Sequence, residues 1–140
     1  MTRRQRSLDR LPVRHRAVLG YLTWRRTPAQ AGWAGLTVTG RTTGRRFTFP
    51  VMTAPLGRTS LVILPGHPDR KTWWRNLDPH AEVVVLDEGS WTVARARLLR
   101  PGSLDFSVAR SAYVARWPRV RVAAGPLVVL DLRRVRLPSA

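Results

Sequence analysis

Leu36-Thr37-Val38-Thr39-Gly40-Arg41-Thr42-Thr43-Gly44-Arg45-Arg46-Phe47-Thr48-Phe49-Pro50 is the stretch that decides how this chain folds. Upstream of its centre, residues 33–39 mix aromatic and β-branched side chains and stop at Gly40, as a strand does. Downstream, residues 45–55 alternate through Phe47, Phe49 and Val51, with Pro50 marking an edge or a bulge. Two glycines, three arginines and two threonine hydroxyls lie between or beside the two runs. The glycines permit a tight turn with exposed N–H groups, while the cations and hydroxyls supply what an anion needs, so a phosphate suits this turn. A glycine hairpin carrying solvated arginines accounts for the same residues, because G-x-x-x-G is a common spacing and the segment is not a P-loop.

Working outward, residues 1–12 are polar and strongly basic and are expected to form a flexible arm, leaving residues 13–140 as one domain. Pro12 opens a helix over residues 13–24, in which Val13, Ala17, Leu19, Tyr21, Leu22 and Trp24 share the segment with Arg14 and Arg16, a basic amphipathic pattern. Beyond the central hairpin, residues 60–64 form a short apolar strand that ends at Pro65-Gly66. Residues 71–77 give one or two helical turns, stopped by Asp78-Pro79. Strands over 82–86 and 90–99 make a hairpin across Asp87-Glu88-Gly89. Ser103 is a fitting cap for a helix over 104–117, and residues 127–132 give a last strand. The expected fold is α+β and mainly β, a barrel of about six mostly antiparallel strands, because most connections are too short for parallel crossovers.

The composition narrows the chemistry. The 140 residues carry a formal charge of +17, almost all of it from arginine, since Lys71 is the only lysine. Arginine suits phosphate and carboxylate partners, although a genome rich in arginine codons gives the same excess. With no cysteine there is no disulfide, thiolate metal site or cysteine nucleophile. No run reaches the roughly 20 apolar residues of a membrane span and no secretory signal is visible, so a cytoplasmic protein is expected. His15, His67 and His80 lack the spacing of zinc motifs, so no metal site is assigned. The acidic residues are too dispersed for a hydrolytic carboxylate pair, and no serine sits in a nucleophile elbow.

A second segment carries chemistry: Pro65-Gly66-His67-Pro68-Asp69-Arg70-Lys71-Thr72-Trp73-Trp74-Arg75-Asn76-Leu77. A Gly/Pro loop running into a short helix exposes N–H groups to electron-rich ligand atoms. Adjacent tryptophans on a helix cannot both face the core, so one is expected inward and the other beside a groove.

Together the T-G-R-x-[ST]-G motif at residues 39–44 and the W-[YW]-x-N-L motif at residues 73–77 make the region from Trp33 to Leu132 resemble the deazaflavin-dependent nitroreductase family. That resemblance implies a split β-barrel and an F420-dependent or FMN-dependent reductase that passes a hydride to a small organic acceptor such as a nitro compound, quinone or enone. Coenzyme F420 is the implied cofactor and FMN the alternative. The implied phosphate contacts are Arg41, Thr42, Thr43, Gly44, Arg45 and Arg46, with Pro65, Lys71, Thr72, Trp73 and Trp74 near the ring. The chain departs from the family pattern at Thr42, where lysine is frequent, and at Phe47, where a basic residue is frequent. Tyr113 is the candidate proton donor or substrate contact. A homodimer is in keeping with split-barrel relatives, and residues 1–26 are a possible weak contact for anionic membrane. Two other classes remain open: a protein that carries such a cofactor without turnover, and a basic barrel for nucleic acid. The latter is disfavoured because the arginines are spread over every segment.

Overall fold

β1 (Trp33–Thr39) has its five central residues buried, because both of its faces are covered. Ala34, Leu36 and Val38 point into a barrel, whereas a Cβ at Gly35 would lie 2.7 Å from Leu19 Cδ2 and 2.8 Å from the Trp91 ring on the outside. The computed structural model describes residues 13–65, 73–122 and 125–132. Six strands close into a barrel in the order β1-β2-β3-β6-β5-β4, and every pairing is antiparallel. The others are β2 (Arg46–Leu56), β3 (Ser60–Ile63), β4 (His80–Asp87), β5 (Ser90–Leu99) and β6 (Leu127–Asp131).

The strands of this closed barrel differ in length, and the longest, β2, changes partner midway. β2 pairs with β1 through Arg46 to Met52 and with β3 only from Thr53 to Leu56. Its first half therefore has one paired edge, and Pro50, opposite Gly35, sits where no second ladder needs its missing N–H. At the far end of the barrel the β4–β5 hairpin turns through Glu88 and Gly89, at φ 52° and 82°, the left-handed pair of a two-residue hairpin. β4 begins at His80, two residues before its expected start at residue 82, since His80 and Ala81 still pair with Arg97 and Ala96.

Among the described residues two α-helices clad the outside. α2 (Leu104–Arg116) starts at Ser103, whose hydroxyl accepts from the Phe106 N–H at 3.1 Å, and buries Phe106, Ala109 and Tyr113 against the outer faces of β2, β3 and β6. α1 (Val13–Trp24) matches its expected bounds but not its expected face. Only Leu19 and Leu22 are buried, against Leu86 with Val18 and Trp91 alongside, while Val13, Tyr21 and Trp24 are exposed. The six apolar residues divide between two sides of the helix, and the barrel takes only one. Among the described residues no helix is long and apolar enough to cross a membrane.

Candidate functional site

The antiparallel order sends the β1–β2 turn, the end of β3, the start of β4 and the end of β5 to one end of the barrel. The 3₁₀ turn Trp73–Leu77 lies at this same end. The described parts of the two segments singled out in the sequence thus converge, and Arg41 ties its turn to residues 73–78. Its backbone N–H donates to Asn76 Oδ1 at 3.0 Å, and its guanidinium Nη1 donates to the Asp78 carbonyl at 2.7 Å. Asn76 completes the link by donating its Nδ2 to the Trp73 carbonyl at 3.0 Å. Asp78 is held from its other side by Arg100.

The turn itself is closed upon its own donors. Gly40 N–H donates to the Arg45 carbonyl at 2.7 Å, Gly44 N–H to the Gly40 carbonyl at 2.9 Å, and Arg45 N–H to Thr43 Oγ1 at 3.2 Å. Gly44 takes φ 69°, a left-handed geometry that only glycine adopts without strain. The sequence reading expected a ring of open backbone N–H groups. Instead the N–H groups of Gly40, Gly44 and Arg45 are engaged within the turn and that of Arg41 by Asn76, so these four are already satisfied. The exposed cationic side chains of Arg45 and Arg46 have no partner among the described residues, and Thr42 stands beside them in the same exposed turn.

Next to the turn is an aromatic surface. Phe47, Phe49 and Val51 of β2 lie opposite Val38, Leu36 and Ala34, on the face that lines the barrel. Phe47, nearest the turn, is 44% exposed, so the residue that replaces an expected cation is an apolar rim. The Phe49 and Trp73 rings meet at 5.0 Å, tilted by 55°, within the range of a favourable aromatic pair. Contrary to the expected split, Trp73 and Trp74 both lean half-buried on the barrel core, since the 3₁₀ turn lies across the barrel end. The Arg75 guanidinium stacks 5.6 Å from the centre of the Trp74 ring. Trp74 Nε1 is buried and has no hydrogen-bond partner among the described residues, which costs about 1–3 kcal/mol for a neutral donor.

Other expected residues fall elsewhere. Pro65 is buried just after β3, whereas Lys71 and Thr72 lie outside the described residues. Tyr113, the expected proton donor or substrate contact, is 2% exposed on the inner side of α2, among Ala54, Val62 and Val129. That cluster shares no residue with the one against which Trp73 and Trp74 pack. Three residues on, Arg116 donates to the Ala31 carbonyl just before β1, towards the opposite end of the barrel. Burial raises the Tyr113 pKa above its ordinary value. Sequence reasoning passed over Asn76 as a site residue, although it stands inside the W-W-R-N-L string, and over Phe49. Among the described residues no group of three or more metal-ligating side chains comes together.

No protein-family model and no curated protein matches the chain. Solved structures do. An F420-H2 dependent reductase, FDR-A, aligns at a TM-score of 0.58 and 18% identity over 72% of this chain and 95% of that one. A protein described as a domain-swapped dimer aligns at 0.56 and 18% identity over 73% of this chain and 81% of that one. HupZ of Group A Streptococcus aligns at 0.53 and 11% identity over 89% and 90% of the two chains. At these identities the likeness is one of fold.

Proposed function

We propose that this barrel is an oxidoreductase that holds the phosphate of a flavin-type cofactor with the cationic side chains of the Gly40 to Arg46 turn, coenzyme F420 first and FMN as the alternative. The observation that carries the reading is the Arg41 tie, which sets unpaired cations and an aromatic surface side by side at one barrel end. The residues present fit such a group. Arg45 and Arg46 offer forked donors to phosphate oxygens, and the Thr42 hydroxyl adds a neutral one. Phe47, Phe49 and Trp73 give a planar ring an apolar shelf. The orphaned Trp74 Nε1 has the chemistry to donate to a ring carbonyl, and Pro65, Lys71 and Thr72 belong to the segment expected to border the ring.

A reduced deazaflavin or flavin, when bound, supplies the hydride, so the chain needs little side-chain chemistry of its own. Its task is to position an acceptor and steady the negative charge that grows on it. Arg75, stacked on Trp74, is the cation best placed for that among the described residues. A nitro compound, quinone or enone is the proposed acceptor. The structural likeness to an F420-H2 dependent reductase supports the fold on which this reading rests.

Titrating F420 and FMN against tryptophan fluorescence tests the assignment. Saturable quenching is expected, with Arg45→Ala and Arg46→Ala each weakening affinity about tenfold, the worth of one charge-assisted contact. Full affinity in both variants removes the turn from the site. Steady-state reduction of a nitroaromatic, quinone and enone panel then separates a reductase from a carrier, since binding without turnover of any acceptor favours the latter.

A further inference from the structure

We infer that the outward face of α1 docks on a bilayer surface containing anionic phospholipid. The helix is apolar on two sides. Leu19 and Leu22 hold one side to the barrel, and Val13, Ala17, Gly20 and Trp24, at the i, i+4, i+7, i+11 spacing of a single helix face, form the other with Tyr21 beside them. All five are exposed, Val13 by 72%, Tyr21 by 57% and Trp24 by 75%. Three of the eight large hydrophobic side chains left open to solvent among the described residues therefore sit on one twelve-residue helix.

What borders the stripe identifies its partner. Arg14 and Arg25 flank it on the Tyr21 side and Arg16 on the other, and all three are exposed. The Arg25 guanidinium stands 5.7 Å from the centre of the Trp24 ring, and the Tyr21 and Trp24 rings are 6.4 Å apart. Indole, phenol and guanidinium at one level suit the headgroup boundary, where aromatic rings bury their bodies and arginines reach the phosphates. No acidic residue lies between Asp9 and Asp69 in the chain, and the acidic groups that come near α1 in space are Asp87 and Glu88 of the β4–β5 turn, beyond its C-terminal end, where Glu88 N–H meets the Thr27 carbonyl and Asp87 accepts from Ala29 N–H. A convex face of this kind, with cations on both flanks, complements a sheet of phosphates.

Vesicle flotation of the full chain tests the inference. Binding is expected to vesicles of 70% phosphatidylcholine and 30% phosphatidylglycerol in 0.1 M salt, and to fall away for phosphatidylcholine alone or in 0.5 M salt. The double variant Tyr21→Ser/Trp24→Ser should lose at least about tenfold in partitioning with its thermal melt unchanged, because both side chains are already exposed. The triple variant Arg14→Gln/Arg16→Gln/Arg25→Gln should lose on the order of a hundredfold, at about fivefold for each charge near the surface. No flotation of the native chain, equal binding to neutral vesicles, or a double variant that floats like the native chain would overturn the inference. So would a dimer, seen by light scattering, that the double variant converts to monomer, for the stripe would then join two copies of this chain.

Discussion

Arg41 and Arg45 stand four residues apart in one turn and answer to different physics. Arg41 spends its backbone N–H and one guanidinium nitrogen on Asn76 and Asp78, holding two segments of the chain together. Arg45 is engaged through its backbone alone, its N–H with Thr43 and its carbonyl with Gly40. Arg41→Ala keeps the backbone bond to Asn76 but loses the one to the Asp78 carbonyl, and should therefore cost about 0.5–1 kcal/mol in a denaturant melt, whereas Arg45→Ala should stay within about 0.5 kcal/mol of the native chain. Equal losses would mean that the tie does not hold the turn. Trp74 gives the opposite contrast. Trp74→Phe removes a buried donor that has no partner, so the free protein should gain up to about 1 kcal/mol while F420 binding weakens severalfold. If both quantities fall together, the Nε1 group has no ligand-directed role.

The elements show the same separation between what is local and what is tertiary. Gly35 is where α1 meets the barrel, and a methyl group there would collide with both Leu19 and Trp91. Gly35→Ala should cost about 1–3 kcal/mol by thermal melt, the usual penalty of overpacking, and Ser103→Ala about 1 kcal/mol through loss of the α2 cap. A neutral Gly35→Ala would show that α1 can shift without penalty. The cap, the strands and the β4–β5 turn were legible in the sequence because their signals span only a few residues: Ser103 before an apolar helix face, glycine at each chain reversal, alternation through Phe47 and Phe49. The start of β4 was not, since His80 and Ala81 follow a proline and read as loop until Arg97 and Ala96 are seen opposite them. Nor was the docking side of α1, because Leu19 and Tyr21 are equally apolar in one dimension and only the barrel chooses between them. At the site the two motifs were legible, but the engagement of the turn's N–H groups was not. Asn76 lies 35 residues from the Arg41 it binds, and no local pattern encodes that contact.

At the scale of the whole molecule the charge of +17 cannot be titrated away near neutrality, because only one of the 25 basic residues is a lysine and arginine stays protonated beyond pH 12. Three ion pairs among the described residues, Arg97 with Asp105 and Asp131 and Arg100 with Asp78, offset little of it, being partly or largely exposed. Self-repulsion between arginines should therefore persist at every accessible alkaline pH. What does change there is Tyr113. Its folded pKa is raised by burial, so between the ordinary tyrosine value and that raised value the unfolded chain has released the proton while the folded chain still holds it. The unfolded state then binds fewer protons, and the slope of unfolding free energy with pH is negative. This contribution is fully present below about pH 10 and declines above it, by about 1.4 kcal/mol for each unit separating the two values. Urea melts from pH 8 to pH 11 should accordingly lose stability above about pH 10, and Tyr113→Phe should flatten that decline. The same substitution leaves acceptor turnover unchanged if Tyr113 only packs, whereas a large fall in rate with an unaltered alkaline profile would place it in the chemistry.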